Sequence, residues 1–246
     1  MTDLQPDWVL PGGALHGRVG ALSTTRMGGV SRAPFDALNL GDHVGDNPHD
    51  VARNRAMLAT RVAGRELMWL TQVHGTDIVS ADDWQIGMSA DGAVVTDDRH
   101  CAVVMTADCL PVLMAADDGS VVAAVHAGWR GLAGGVLLRA LATLAAPHAR
   151  VLAWIGPAIS CPAFEVGDEV RVAFIEADAS NEAFFVANPV GRFQADLSGL
   201  ARHQLLCAGV SQVTAADACT YNDASRFFSH RRAAPCGRMA TAIWRI

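Results

Sequence analysis

Residues 101–144 read CAVVMTADCLPVLMAADDGSVVAAVHAGWRGLAGGVLLRALATL, and this stretch decides the fold. Two short apolar runs, residues 102–106 and 110–115, flank the polar pair Asp108–Cys109. A third run over residues 121–125 ends in His126. Val-rich runs of this length, broken by turn residues, predict strands. After Gly128 the apolar residues fall at Leu132, Val136, Leu137, Leu141 and Leu144, a helical spacing. Cys109 and His126 therefore stand at strand ends, where a rigid sheet holds reactive groups. Upstream, TQVHGTDIV over residues 71–79 offers a further histidine, His74, beside a glycine. We take His74, Cys109 and His126 as one site.

Working outward, the chain of 246 residues is long enough to bury a large core as one α/β domain or two small ones. Hydrophobic residues make up 51% and charged residues 18%, a balance that fits a compact enzyme and excludes a disordered chain. A formal net charge of −6 argues against nucleic acid as partner. No apolar run has the length of a bilayer span, and MTDLQPDW lacks the form of a signal peptide. Neither membrane association nor export is expected, so a cytoplasmic location and six free or ligating cysteines follow. Lysine is absent. That excludes Schiff-base chemistry by the protein and a P-loop lysine, and leaves anions to arginine, backbone N–H groups or metal.

The remaining elements are read more coarsely. Residues 1–13 form an irregular opening segment broken by Pro6, Pro11 and Gly12–Gly13, and residues 15–23 a strand. Asn47–Pro48 caps a helix that runs to about Val62. Short strands are expected over residues 66–71, 77–80 and 90–96, then over 151–155, 210–214 and 238–246. Helices are expected over residues 166–177 and 197–208, with a polar and aromatic loop over 179–193. Neither linker nor repeat divides the chain, which reads as one domain over residues 1–246. No coiled coil or apolar stripe declares an interface, so a monomer or homodimer is expected.

Two imidazoles and a thiolate make a three-ligand zinc set with a free fourth position, the pattern of catalytic sites. The same residues admit other chemistry. Cys109 and a histidine form a nucleophile–base pair if Asp108 or His74 orients the base. His₂Cys is also the blue-copper donor set, although the chain has no His-x-His pair of the multicopper kind. A small buried thiol and a hydrogen-bonded core histidine are the structural alternative. Arg26, before Gly28–Gly29, and Arg130, at the start of a helix, are candidate anion binders. Arg231 and Arg232 belong to a C-terminal cluster with Arg238; Arg232 is a candidate phosphate or carboxylate clamp. Gln72, two residues before His74, faces the same side on a strand and is either a substrate contact or a satisfied core amide. Cys161 either lines the pocket or packs.

At these residues the chain resembles the YfiH-like family, once called laccase-domain or polyphenol-oxidase proteins. TTRMGGVS, NLGDHVGD, TQVHGTDI, ADGAVVTD, TADCLPVL, HAGWRG, WIGPAISCPAFEVGDEV and FFSHRR carry the resemblance over nearly the whole chain, with TADCLPVL followed by HAGWRG the most specific. The resemblance implies an α/β (α+β) fold, a four-layer α/β/β/α sandwich with mixed sheets. It implies zinc at His74, Cys109 and His126, with copper the lesser alternative. The implied activity is a purine nucleoside phosphorylase acting on adenosine, inosine, guanosine or methylthioadenosine with phosphate, together with adenosine deamination. Asp108 is then a proton shuttle, and Arg26, Arg231 and Arg232 correspond to the family's arginines. His230 stands where many relatives carry Tyr. A Cys109-based hydrolase or amidase editing a peptidoglycan precursor, a copper-linked polyphenol oxidase and a non-catalytic binding module are the competing readings.

Overall fold

The computed structural model describes residues 8–15 and 17–246. The expected opening segment therefore lies outside the described residues up to residue 7, as does His16 within the first expected strand. Among the described residues the chain forms β1 (Val19–Ser23), α1 (Pro48–Ala59), β2 (Glu66–Met68), β3 (Ile78–Ser80), β4 (Gly92–Val95), β5 (His100–Thr106), β6 (Leu110–Ala116) and β7 (Val122–Ala127). It continues with α2 (Trp129–Ala133), α3 (Val136–Leu144), β8 (Val151–Ile155), β9 (Glu165–Val166), α4 (Asp168–Ala177), β10 (Phe185–Ala187), β11 (Phe193–Ala195), α5 (Leu197–Cys207), β12 (Gln212–Ala215) and β13 (Met239–Arg245).

Two mixed sheets lie face to face. One has the order β1-β13-β5-β2 and the other β12-β8-β6-β7-β4-β3. The pairs β2–β5, β3–β4 and β8–β12 are parallel, and the remaining pairs in these sheets are antiparallel. Every position of β6 and β7 is buried, which explains why these strands read as unbroken apolar runs rather than alternating ones. In β6, Leu113 and Ala115 pack between the sheets with Val104, Ala124 and Trp154. Val112 and Met114, on the opposite face, pack with Leu132, Leu141, Phe174 and Leu205 of the helices. On the other side of the sandwich, Leu58 of α1 packs on Leu22, Val103 and Ala242. The layers are thus helix, sheet, sheet, helix, as the resemblance implied.

Three local differences from the sequence reading have simple causes. The helix expected after Gly128 is two helices, because Gly135 takes a left-handed φ of 87° between them. The stretch expected as loop over 179–193 contains a 3₁₀ turn and strand β10, which joins β11 and β9 in a small third sheet. Strands of two or three residues are too short to leave a periodicity in the sequence. The first strand begins at Val19, after a 3₁₀ turn at Gly13–Leu15. The Asn47 cap is as expected: its side chain accepts the His49 N–H at 2.9 Å. Among the described residues no helix is long and apolar enough to cross a membrane.

The chain passes from one large sheet to the other between β5 and β6, at Ala107, Asp108 and Cys109. This crossing fixes one end of the sandwich, and the packing beside it should be unforgiving. Leu113→Ala, at a fully buried side chain between the sheets, is expected to cost about 2–5 kcal/mol of stability, read as a lower midpoint in urea unfolding.

Candidate active site and metal centre

Cys109 is the last residue of the sheet-to-sheet crossing, and its predecessor Asp108 takes a left-handed φ of 97°. The β6–β7 ladder pairs Leu110 with Ala127 and Pro111 with His126, so the start of one strand lies beside the end of the other. His74 enters from the loop between β2 and β3, itself at a left-handed φ of 59°. Gly128 permits the approach: a Cβ there would stand 2.7 Å from His74 Cδ2 and 3.2 Å from Cys109 Sγ.

The three side chains converge. One donor atom from each of His74, Cys109 and His126 lies within 4.8 Å of the others. His74 Nε2 is 3.9 Å from Cys109 Sγ, and the two imidazoles meet edge to face with centroids 4.8 Å apart. A four-coordinate ion with bonds of about 2.0–2.3 Å separates its donors by roughly 3.5 Å. The donor set and its spacing therefore fit a metal ion.

Asp91, which the sequence reading did not single out, holds this arrangement. Its carboxylate is completely buried at the start of β4. It accepts the backbone N–H groups of Val73, His74 and Gly75 at 3.3, 3.0 and 2.6 Å. It also bonds His126 Nδ1 at 2.8 Å, leaving Nε2 as that ring's ligand atom. One carboxylate thus sets both the turn that carries His74 and the orientation of His126. The only mark it leaves in ADGAVVTD is an acid just before an apolar strand, which any solvated loop acid would leave as well.

The electrostatics follow from these contacts. Burial raises the Asp91 carboxyl, but the bonds from His126 and the Gly75 and Val73 N–H groups outweigh it and hold the pKa below the usual carboxylate range. Burial opposes charge on His126, yet Asp91 and Cys109 raise it to about 9. Burial likewise opposes the Cys109 thiolate, and the two histidines overcome it to lower the thiol to about 6.

The site opens into a cavity of about 400 Å³ that also touches His43, Gln72, Phe164, His230, Arg231 and Arg238. Of the expected residues, Asp108, Gln72, His230 and Arg231 join His74, Cys109 and His126 there. Asp108 is committed to anchoring: its two oxygens accept Thr220 Oγ1 at 2.6 Å and the Arg231 backbone N–H at 2.7 Å. The crossing is thereby tied to the segment bearing His230 and Arg231. Gln72 is the satisfied amide, donating to Met105 O at 2.8 Å and accepting the Met105 N–H at 2.6 Å while still walling the cavity.

Four expected residues do not line this cavity. Arg26 is spent on Asp36 and the Ala224 carbonyl and stacks on Phe228. Arg232 donates to the carbonyls of Thr220, Tyr221 and Phe227, so the candidate clamp braces a loop instead. Arg130 is exposed over Trp129. Cys161 opens a 3₁₀ turn, and burial first, then Asp196, raises its thiol. The arginines on the cavity are Arg231 and Arg238. These two also donate to carbonyls, Arg231 to Glu165 at 2.8 Å and Arg238 to Cys236 and Gly237 at 2.9 and 3.1 Å; what sets them apart is where the backbone carries them, which no spacing rule encodes.

Two mixed sheets meeting at an open His–Cys–His centre define a class of enzyme-like α/β protein with a solvent-reachable ligand triplet. A family model described as multi-copper polyphenol oxidoreductase laccase matches residues 20–246. The chain belongs to this laccase-like, YfiH-containing family. It is 48% identical, over 98% of its length and 97% of the relative's, to a Pseudomonas aeruginosa protein named a purine nucleoside phosphorylase. It is 45% identical to the Escherichia coli purine nucleoside phosphorylase YfiH, over 98% of each chain. Among solved structures, a Neisseria meningitidis protein superposes with a TM-score of 0.94 at 42% identity, covering 97% of this chain and 99% of that one. YlmD from Geobacillus stearothermophilus superposes at 0.89 with 30% identity, over 100% and 98%.

Two outcomes are expected of the site. Asp91→Asn should weaken metal binding by about 10–100-fold, measured by competition with a chromogenic chelator, because His126 and the His74 turn lose their shared carboxylate. In metal-stripped protein, alkylation of Cys109 by iodoacetamide should fall to half its plateau as pH drops through about 6, where an ordinary thiol halves near about 8.5. Metal loading should suppress that alkylation at every pH.

Proposed function

We propose that the chain is a zinc-dependent purine nucleoside phosphorylase, acting on adenosine, inosine, guanosine or methylthioadenosine with orthophosphate. The observation that carries this reading is an open three-ligand centre facing a cavity with two arginines, in a chain nearly half identical to a protein named for that activity. His74, Cys109 and His126 would hold the ion, which when bound supplies Lewis-acid polarisation of a water or substrate oxygen.

The chain's own residues account for the rest. Arg231 and Arg238 bind the phosphate, a role moved from Arg26 and Arg232 because those two face elsewhere. Bidentate, charge-assisted contacts orient one phosphate oxygen toward C1′ of the ribose. As that C–O bond forms, the glycosidic C–N bond breaks and the purine leaves with the bonding pair. His230, on the cavity wall, is placed to give the departing base a proton. Phe164 and Ile159 supply an apolar wall against water. Adenosine deamination, in which water replaces the 6-amino group and ammonia leaves, is the second activity of the same cavity.

Purified protein incubated with adenosine should yield adenine and ribose 1-phosphate only when phosphate is present, and inosine without it, as read by chromatography. Elemental analysis should find about one zinc, the complement of one catalytic site; copper in its place would favour the oxidase description. Arg231→Ala should raise the KM for phosphate roughly ten- to hundredfold while adenosine deamination is spared, on the scale of a lost charged hydrogen bond. Equal loss of both reactions would remove Arg231 as the phosphate clamp.

A further inference from the structure

Of the cavities outside the metal site, one adjoins it through His43 and Gln72 and is lined by Trp69 and Trp84. Another, of about 400 Å³, shares no lining residue with either and runs along β1, the outer strand of the four-stranded sheet. Its walls are apolar. Leu15, Val19 and Leu22 are buried there, and the indoles of Trp8 and Trp244 add to the lining. Gly20 makes room for this wall: a Cβ at that position would overlap the Trp244 ring, so the indole rests on bare β1 backbone.

Polar groups in this cavity are few and of one kind. Among its lining side chains only Trp8, Trp244 and Arg61 carry a nitrogen or oxygen, and all three are hydrogen-bond donors. The Arg61 guanidinium lies over the Trp8 ring at 5.5 Å from its centroid. No carboxylate lines the cavity, and among the described residues Arg61 makes no ion pair. The Trp8 Nε1–H is enclosed by protein and has no hydrogen-bond partner. A buried donor without an acceptor is costly, and a bound acceptor removes that cost. The unpaired donor and the unmatched cation belong to one aromatic platform.

This chemistry selects one kind of occupant. A cation is repelled by Arg61 and meets no carboxylate. A sugar or peptide brings donors that meet no acceptor side chain. A molecule with an apolar body and a single acidic group fits: its hydrocarbon covers Leu15, Val19 and Leu22, and its oxygens take the Arg61 and Trp8 donors. Arg61 is exposed while the aliphatic walls are buried, so the charged head stays at the mouth and the apolar body goes inside.

We infer that this cavity is a binding site for a small amphipathic carboxylate, a molecule with an apolar chain or ring and one anionic head. The inference stands apart from the phosphorylase reading, because no residue of the metal cavity takes part.

Decanoate is a suitable probe. Titrated calorimetrically into the intact chain, it should bind saturably with about one equivalent, as a single cavity of this size requires. Octanoate should bind about tenfold more weakly, the scale of two buried methylenes. Decylammonium, of equal length and opposite charge, should fail to displace decanoate. Arg61→Glu, at an exposed position, should weaken decanoate binding by about tenfold or more, the scale of a lost charge-assisted hydrogen bond. Arg61→Lys should keep most of the affinity. Trp8→Phe should weaken binding roughly three- to fivefold, because the ring stays while its donor is lost. Arg231→Ala, in the metal cavity, should leave the affinity unchanged. No saturable binding, equal binding of decylammonium, unaltered affinity in Arg61→Glu and Trp8→Phe, or loss of binding in Arg231→Ala would each overturn the inference and leave the phosphorylase reading intact.

Discussion

The site depends on one buried carboxylate. Asp91 lies in the interior, where an unpaired charge would be costly, and it is stable there because the roughly four acceptor sites of its carboxylate are met by three backbone N–H groups and one imidazole. Those donors belong to two separate parts of the chain, the His74 turn and the end of β7. Satisfying a single acid therefore draws the His74 turn to His126, which itself lies 35 positions from Asp91 in sequence. The left-handed backbone at His74 is held by the same bonds. Without them the turn would relax, and one ligand would leave the centre.

The second constraint is the crossing between the sheets. A strand that leaves one sheet and enters the next must turn sharply, and this chain does so through Asp108 in a left-handed conformation. That turn exposes Cys109 at the end of an otherwise buried sandwich. Asp108 then fastens the C-terminal segment through Thr220 and the Arg231 N–H. The base of the cavity and its arginine-bearing wall are joined through one side chain. The thiol, the histidines and the arginines thus share a frame, although they come from four regions of the sequence.

Charge is distributed unevenly between the two neighbouring cavities, which share His43 and Gln72 in their linings. Arg231 and Arg238 lie beside the candidate metal ligands, whereas the neighbouring cavity lined by Trp69 and Trp84 has its single arginine matched by Asp42. With no lysine in the chain, every fixed cation in these cavities is a guanidinium, a group suited to bidentate contacts.

The apolar runs around TADCLPVL and the cap at Asn47 made the central strands and the first helix legible, because burial on both faces and capping leave local marks. Residue types likewise exposed His74, Cys109 and His126 as a ligand set, since few side chains bind metal and these stood at element ends. Asp91 was hidden by its own success: a fully satisfied buried acid looks in sequence like any polar residue before a strand. Arg26 and Arg232 were plausible anion binders, but the cavity beside the ligand triplet is lined by Arg231 and Arg238 instead. The sequence by itself determined which elements form and which atoms are able to hold a metal, because those depend on neighbours along the chain. Only the tertiary structure decided which arginines face the cavity and that a second, indole-lined cavity adjoins it, because both depend on where the backbone carries residues distant in sequence.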